Sequence, residues 1–273
     1  MTVLIAIPAR YASTRYPGKP LVALRGPDGV ARSLIERSWR AAMSVQGADR
    51  VIIATDDDRI ADAVRGFGAE VAMTDPACAN GTERCADLLA RLDTTPEIVV
   101  NLQGDAPLTP PWFVEGLVAA LRANPDAQVA TPVLRCDGRA LRGFRDDRAA
   151  GRVGGTTAVF DADGRALYFS KEVIPYTGRD YPDDAPTPVF HHVGVYAYRP
   201  DALRAYRSLP AGPLEDLEGL EQLRFMENGR AVHCVEVAAR GRGFWELNNP
   251  EDVARIEAIL AEQDMPAPQS ATS

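Results

Sequence analysis

Lysine is almost absent from this sequence: of 30 basic residues only Lys19 and Lys171 are lysines, and the other 28 are arginines. Acidic residues number 38, which gives a net charge of −8. Sequence-independent binding to nucleic acid or to an anionic membrane needs an excess of positive charge, so we expect neither partner. Because lysines are so few, each of the two is a candidate for a specific role.

Cysteine is also scarce, and its four positions lie far apart, at Cys78, Cys85, Cys136 and Cys234. No Cys-x-x-Cys pair occurs, and no histidine stands at the spacing of a zinc ligand. Both absences argue against a zinc site and against a redox-active disulfide. The pattern predicts free, buried thiols.

No hydrophobic run approaches the ~20 residues that a membrane-spanning helix needs. The first run, Val3–Ile7, stops at Pro8 and has no basic lead, so it is too short for the core of a signal peptide. We therefore expect a soluble, cytoplasmic protein. A Gly-x-Gly-x-x-Gly fingerprint is also missing after this run, which disfavours a nicotinamide dehydrogenase.

The 273 residues, 46% of them hydrophobic, suffice for one large α/β domain or two small ones. Up to about residue 133, apolar runs of strand length alternate with segments of helical periodicity. This alternation predicts a mostly parallel, doubly wound sheet with helices on both faces. The predicted strands are 3–7, 51–55, 71–73 and 98–102. The predicted helices are 33–43, one that the acidic cluster 56–58 can cap and that runs through Val64, 83–92 and 112–121.

Beyond residue 133 the regular alternation of strand-like and helix-like segments stops, which predicts a smaller mixed α+β lobe over about 134–213. Its predicted parts are an exposed, irregular excursion at 135–152, strands at 156–161 and 193–198, and a Pro- and Asp-rich loop at 177–188. The chain then returns to the first lobe. Its predicted parts there are one helix at 214–226, a strand at 232–237 and a helix at 250–261, followed by a disordered tail at 266–273. We expect a single domain, 1–265, with 1–133 and 214–265 together forming the larger lobe.

A stiff, basic loop, PARYASTRYPGKPL at residues 8–21, follows the first predicted strand. Open parallel sheets place their ligands at the carboxyl ends of the strands. Arg10, Lys19 and the backbone N–H groups of such a loop can hold a polyphosphate. The alternative is an ordinary basic surface loop, and the rarity of lysine favours the phosphate interpretation.

Two further stretches stand next to predicted strands. NLQGDAP at 101–107 places Asp105 just after a strand, where a carboxylate suits Mg²⁺, which commonly binds one or two carboxylates plus substrate phosphates. A simple Asp-containing turn is the alternative. NGTER at 80–84 opens a predicted helix, whose free N–H groups suit an anion or a base edge. A helix cap at Thr82 explains the same residues equally well.

Together these motifs resemble the 3-deoxy-manno-octulosonate cytidylyltransferases, or CMP-Kdo synthetases, over residues 3–259. Further similar segments, in the family's order, are ATDDDRI at 54–60, ALYFSKEVIPY at 166–176, HHVGVYAYR at 191–199, PLEDLEGLEQLR at 213–224 and NNPEDV at 248–253. The resemblance implies a nucleotide-diphospho-sugar transferase-like fold. It also implies transfer of CMP from CTP to the acid sugar Kdo with release of pyrophosphate, Mg²⁺ as cofactor, and a homodimer formed through the smaller lobe, which would also bind the sugar. The CMP-sugar would serve lipopolysaccharide or capsule synthesis.

The resemblance also implies the role of individual residues. The nucleotide would be held by Pro8, Ala9, Arg10, Ser13, Lys19, Thr82, Arg84 and Gln103. The sugar would be held by Lys171, His192, Tyr196, Glu221 and Gln222, and Mg²⁺ by Asp105 and Asn248. Arg10, Lys19 and Asp105 would be the catalytic residues of an in-line attack on the α-phosphorus. For Tyr196 a core position, and for Glu221 a solvated helix face, is the alternative.

The chain departs from the family pattern mainly on the sugar side. Asn248 stands where the family has a second metal-binding Asp, and Glu246 is a candidate for supplying the missing charge. Thr157, Lys171 and His191 stand where the family has basic residues, in the last two cases arginine. These changes suggest an acceptor that differs from Kdo in its substituents or chain.

Two rivals remain at this point: transfer of CMP to a sialic-acid-like or other sugar, and a nucleotide-binding relative without turnover. Every version of the proposed chemistry requires Lys19 and Asp105 to face each other across one crevice.

Overall fold

The computed structural model describes residues 2–12, 16–153, 155–247 and 249–263. The strands are β1 (Val3–Ala9), β2 (Ala23–Arg25), β3 (Ala31–Ser33), β4 (Arg50–Thr55), β5 (Glu70–Met73), β6 (Ile98–Leu102), β7 (Val129–Asp137), β8 (Thr156–Phe160), β9 (Ala166–Ser170), β10 (Pro186–His192), β11 (Val195–Tyr198) and β12 (His233–Val237). The helices are α1 (Leu34–Met43), α2 (Asp58–Gly66), α3 (Gly81–Ala90), α4 (Pro111–Ala123), α5 (Gly138–Ala149), α6 (Pro200–Tyr206), α7 (Pro213–Glu218), α8 (Leu223–Glu227) and α9 (Asp252–Gln263).

One ten-stranded sheet runs in the order β5-β4-β1-β6-β11-β7-β10-β8-β9, with β12 beside β7. The first four strands are parallel, as their continuous apolar runs predict. Alternate residues of β1 enter two different core clusters, because its two faces are both covered: Ile5 belongs to one and Leu4 to the other. The predicted α/β class with a parallel nucleotide-side sheet is confirmed.

Helices in this half begin where side chains can accept a free N–H group. Ser33 Oγ accepts a hydrogen bond from Glu36 N at 3.3 Å, and Asp57 Oδ1 accepts one from Arg59 N at 3.0 Å. Such N-caps typically contribute about 1 kcal/mol each. The helix predicted from 33 begins one residue later, and the cap predicted within the cluster 56–58 is Asp57.

The smaller lobe continues the same sheet. β11 lies between β6 and β7 and is antiparallel to both, and β7, β10, β8 and β9 follow as antiparallel neighbours. The sheet therefore joins the two predicted lobes without a break. β2 and β3 form a separate hairpin.

The prediction of an irregular excursion at 135–152 was wrong, because β7 extends to Asp137 and α5 follows at once. Asp137 Oδ1 caps this helix by accepting from Ala140 N at 2.7 Å. α5 buries Leu141 in a small cluster with Cys136 and Val189, and its arginines face the acidic loop that precedes β10. The ion pairs are Arg142–Asp183, Arg145–Asp180 and Arg148–Glu172.

Three further sequence predictions need correction. β9 was not predicted at all, and the expected loop at 177–188 already contains the start of β10. The single helix expected at 214–226 is two short helices, α7 and α8, because Gly219 takes a left-handed backbone conformation with φ of 60°.

All four cysteines are free and buried, as predicted. Burial raises the pKa of Cys136 and of Cys234 to about 12. Among the described residues, no helix has the length and apolar character to cross a membrane. The predicted tail at 266–273 lies outside the described residues.

Candidate active site

The loop after β1 and the corner after β6 meet at one edge of the sheet. Lys19 Nζ donates a hydrogen bond to Asp105 Oδ2 at 2.5 Å, and the two side chains are 16% and 26% exposed. The two strands are parallel neighbours, so their carboxyl ends lie side by side. The structure therefore places Lys19 and Asp105 on the same side of the molecule and in direct contact, as the sequence interpretation requires.

The second half of the basic loop is anchored to the body of the protein. Gly18, with φ of 71°, donates its N–H to Tyr11 O at 3.0 Å, and a side chain at this position would collide with the Tyr11 ring. The Arg59 guanidinium stacks on that ring at 3.3 Å from its centroid. These contacts fix Lys19 at the start of a short 3-10 helix, Lys19–Leu21. Ser13, predicted to contact the nucleotide, lies outside the described residues.

The Asp105 corner is held from three directions. A Cβ atom at Gly104 would lie 2.7 Å from Pro8 O, so only glycine lets β1 and β6 approach this closely. Ser38 Oγ donates to Gly104 O at 2.9 Å, and Leu247 N donates to Asp105 O at 2.9 Å. Sequence reasoning identified neither Ser38 nor the tight packing of Gly104. Asn248, a predicted metal ligand, lies outside the described residues.

A cavity of about 320 Å³ opens at the end of β1, where Pro8 packs against Gly104; Lys19 and Asp105 are not among its lining residues. Its lining residues come from four segments: Pro8–Arg10 at the end of β1, Cys78–Gly81 with Arg84 at the start of α3, Tyr196 in β11, and Gly219–Gln222 between α7 and α8. The cavity thus brings together four predicted nucleotide-binding residues and three predicted sugar-binding residues. We call the 78–81 segment the nucleotide wall and the 219–222 segment the sugar wall, after the roles predicted for the residues next to or within them.

Glu221 connects the two walls. Its Oε2 accepts a hydrogen bond from Thr82 N at 3.0 Å, and its Oε1 accepts one from Gln103 Nε2 at 3.1 Å. Burial raises the pKa of this carboxyl, although the hydrogen bond from Thr82 N opposes the shift. The alternative of a solvated helix face for Glu221 was wrong.

The helix-cap alternative for Thr82 was also wrong. The cap of α3 is Asn80, whose Oδ1 accepts from Glu83 N at 2.9 Å. The Thr82 hydroxyl instead pairs with the Tyr198 hydroxyl at 2.9 Å. The backbone N–H of Thr82 is therefore placed at the cavity, on Glu221.

Tyr196 orients Gln222 on the sugar side. The Tyr196 hydroxyl donates to Gln222 Oε1 at 2.9 Å. Within the described part of the chain, Gln222 Nε2 is buried and has no hydrogen-bond partner. Because a buried donor without a partner is costly, this amide is suited to a ligand oxygen in the cavity.

His192 and Lys171 lie farther from the cavity. His192 packs behind Tyr196, with Nε2 2.9 Å from Thr131 Oγ1, and burial lowers its pKa to about 3. Lys171 approaches the rim, because its Nζ lies 3.0 Å from the point where a Cβ of Gly219 would stand. Lys171 N donates to Glu218 Oε2 at 2.9 Å.

Arg84 lines the cavity, but its guanidinium is engaged within the protein. It donates to Thr74 Oγ1 at 2.6 Å and to Asp56 Oδ2 at 2.9 Å. Arg10, by contrast, is exposed at the cavity. Of the two arginines, Arg10 is the one whose charge is available to a ligand.

A metal ion at this site would depend on substrate oxygens for most of its ligands. The described residues contain no group of three or more His, Cys, Asp or Glu side chains arranged to hold a metal. Asp105 nevertheless suits a Mg²⁺ ion that is bound jointly by the protein and by substrate phosphates, because its Oδ1 accepts no hydrogen bond from any described residue.

Comparisons with known proteins agree with this geometry. A family model described as cytidylyltransferase matches residues 4–232. The 3-deoxy-manno-octulosonate cytidylyltransferase of Maricaulis maris is 48% identical over 261 residues, covering 96% of this chain and 98% of that protein. The protein of that name from Chlamydia pneumoniae is 40% identical over 254 residues, covering 93% and 92%.

Solved structures agree as well. CMP:2-keto-3-deoxy-manno-octonic acid synthetase complexed with CTP superposes with a TM-score of 0.81 at 33% identity, over 96% of this chain and 100% of that one. At 15% identity and a TM-score of 0.57, 4-diphosphocytidyl-2C-methyl-D-erythritol synthase from Anaerococcus prevotii shares the fold, over 95% and 98%. By sequence and by structure, this chain belongs to the 3-deoxy-manno-octulosonate cytidylyltransferase family.

Proposed function

We propose that the protein joins CMP from CTP to the anomeric hydroxyl of Kdo and releases pyrophosphate. The observation that carries this proposal is the Lys19–Asp105 pair beside a cavity with separate nucleotide and sugar walls. A cation and a carboxylate at one sheet edge are what a metal–triphosphate complex needs. The family membership supplies the substrates.

On the nucleotide side, Arg10 and Lys19 would bind the triphosphate, with Arg10 as a planar fork and Lys19 as a compact point charge. Ala9, Gln103 and the Thr82 segment would surround the cytidine, together with Pro8 and Ser13. Arg84 would act indirectly, because its bonds to Asp56 and Thr74 hold the start of α3.

Asp105 would hold Mg²⁺, with Asn248 as a second oxygen ligand that contributes no charge. Mg²⁺ neutralises charge that develops on the phosphate oxygens during transfer. Asp105 Oδ1 would be available to the metal while Oδ2 keeps its bond to Lys19, since only Oδ2 is paired in the free protein.

On the sugar side, the hydroxyl, amide and carboxylate of Tyr196, Gln222 and Glu221 suit a polyol acid. The sugar's anomeric oxygen attacks the α-phosphorus in line, its proton passes to water or to the departing pyrophosphate, and the bond between the α-phosphorus and the pyrophosphate oxygen breaks. Because no covalent enzyme intermediate is involved, the contribution of the protein is positioning and charge neutralisation.

The three departures from the family pattern do not all bear on the acceptor. The Thr157 hydroxyl bonds Glu172 O at 2.6 Å and accepts from Ile174 N at 3.1 Å. His191 packs against the Phe144 ring with centroids 5.2 Å apart. Only Lys171 approaches the cavity, so a different acceptor would have to be recognised mainly through Lys171. Kdo is therefore the leading acceptor.

We further propose that the protein is cytoplasmic and forms a homodimer through the smaller lobe, 134–213. Two large side chains there support a protein contact, since Leu167 is 60% and Tyr176 93% exposed. The larger lobe would carry the nucleotide.

The decisive experiment incubates the protein with CTP, Mg²⁺ and a mixture of ulosonic and sialic acids, and identifies the products by mass spectrometry. CMP-Kdo as the main product supports the proposal. A different CMP-sugar as the main product would show that its sugar, and not Kdo, is the acceptor. CTP binding in calorimetry without any product would identify a nucleotide-binding relative that lacks turnover.

A further inference from the structure

Arg224 lies between the two walls of the cavity without lining it. Its Nε and Nη2 donate to Glu215 at 2.7 and 2.8 Å, and its Nη1 donates to Glu83 at 2.8 Å. The guanidinium also stacks on Tyr206, 4.4 Å from the ring centroid. Each of the three guanidinium nitrogens of this buried side chain therefore donates to a carboxylate, on Glu215 or on Glu83.

The Glu83 end of the network supports the nucleotide wall. Glu83 Oε1 accepts from Arg224, while Oε2 accepts from Ala79 N at 2.8 Å. Glu83 N in turn donates to Asn80 Oδ1. One carboxylate thus ties Arg224 to the segment 78–81.

The Glu215 end supports the sugar wall. Glu215 O accepts from Gly219 N at 2.7 Å, where α7 ends. Glu221 O accepts from Arg224 N at 3.3 Å and from the Tyr206 hydroxyl at 3.1 Å. Both ends of the segment 219–222 are therefore bonded to this network.

Tyr206 also forms hydrogen bonds with both walls. Its hydroxyl accepts from Asn80 Nδ2 at 3.0 Å while it donates to Glu221 O. In addition to the contacts of the Glu221 carboxylate described above, the nucleotide wall and the sugar wall are consequently joined through Arg224 and through Tyr206. The Arg224 connection pairs a guanidinium with two carboxylates, and such charge-assisted bonds are roughly twice as strong as the neutral bonds that Tyr206 makes.

We propose that Arg224 is a positioning residue that sets the spacing between the nucleotide wall and the sugar wall, and so controls the affinity for both substrates at once. The inference rests on the proposed function. Lysine cannot replace it, because a point charge on a flexible stem cannot hold two carboxylates in the geometry of a planar fork.

The test compares Arg224→Lys with Arg199→Lys in steady-state kinetics. Arg199 is a matched control because its guanidinium also holds the protein together, by donating to Ala127 O and Leu121 O away from the cavity. We expect KM for CTP and KM for the acid sugar both to rise about tenfold in Arg224→Lys, and neither to change in Arg199→Lys. A merely structural role would reduce the active fraction, which lowers kcat and leaves both KM values unchanged. Unchanged KM values in Arg224→Lys would overturn the proposal.

Glu83→Gln covers the case in which Arg224→Lys fails to fold. This variant keeps the Arg224–Glu215 pair. Glutamine has one accepting side-chain oxygen where glutamate has two, so it can accept from Arg224 Nη1 or from Ala79 N in the present geometry but not from both. We expect weaker CTP binding in calorimetry, and an unchanged CTP affinity would overturn the proposal. If the wild type forms no product, the proposed function fails, while calorimetry still decides the role of the network.

Discussion

Lys19 Nζ and Asp105 Oδ2 lie 2.5 Å apart although 86 positions separate the two residues along the chain. Each residue follows a strand of the parallel half of the sheet, and β1 and β6 are direct neighbours. A partly exposed pair of this kind contributes only about 0–1 kcal/mol to stability. Its position is therefore better explained by binding a charged substrate than by folding.

Asp105→Ala should abolish activity and leave the fold intact. Loss of the carboxylate removes the proposed metal ligand, so we expect pyrophosphate release to fall by at least about 100-fold. Thermal unfolding should be nearly unchanged. Asp201→Ala, at a side chain that is 92% exposed, is the control. A variant at 105 that keeps most of its rate would show that the metal role is misplaced.

Gly104→Ala should damage both stability and activity. The new Cβ would stand 2.7 Å from Pro8 O, so the ends of β1 and β6 must separate, at a cost of roughly 1–3 kcal/mol. Gly66→Ala is the matched control, because a Cβ there meets nothing within 4 Å. Urea unfolding and pyrophosphate release measure the two effects. Wild-type values for both in Gly104→Ala would refute the tight approach of the strands.

Tyr196→Phe should weaken sugar binding selectively. Without its hydroxyl, Gln222 Oε1 loses the bond that orients the amide. We expect KM for the acid sugar to rise about tenfold and KM for CTP to stay constant. Tyr181→Phe is the control, because the Tyr181 hydroxyl bonds to no other described residue. Equal changes in both KM values would argue against a role confined to the sugar.

The free energy of unfolding should fall as the pH is lowered from 7 to 5. Burial lowers the pKa of His191 to about 4 and that of His192 to about 3, whereas an unfolded histidine titrates near pH 6.5. Between these values the unfolded chain binds protons that the folded chain does not. Stability is therefore complete above about pH 6.5 and decreases as the pH falls, by roughly 2 kcal/mol per histidine down to pH 5.

His192→Asn isolates the contribution of one ring. The variant should lose less stability than the wild type between pH 7 and pH 5, as measured by urea unfolding at both values. Identical pH dependence in the two proteins would show that the His192 ring is protonated in the folded state.

The parallel half of the fold was predictable because its signals are local. The strands at 3–7 and 98–102 are short apolar runs, and Ser33 and Asp57 cap the helices that follow strands or turns. The resemblance of the whole chain to one family, and its cytidylyltransferase activity class, were predicted correctly for the same reason: the motifs are contiguous in sequence.

The remaining structure depends on contacts between distant residues. α5 was missed because only Gly138 and Leu141 of its residues are buried, and its charges are satisfied by partners such as Asp183, 41 positions beyond Arg142. The contacts of Glu221 with Thr82 and Gln103 span 139 and 118 positions. The periodicity of the sequence does not predict pairings between residues this far apart.

β11 is inserted between β6 and β7, so the strands beneath both substrates belong to one hydrogen-bonded sheet. A hinge between the two lobes would have to break this ladder in its middle. Under the proposed function, any closing of the site around the reacting phosphate would therefore have to come from side chains and from the turns above the sheet.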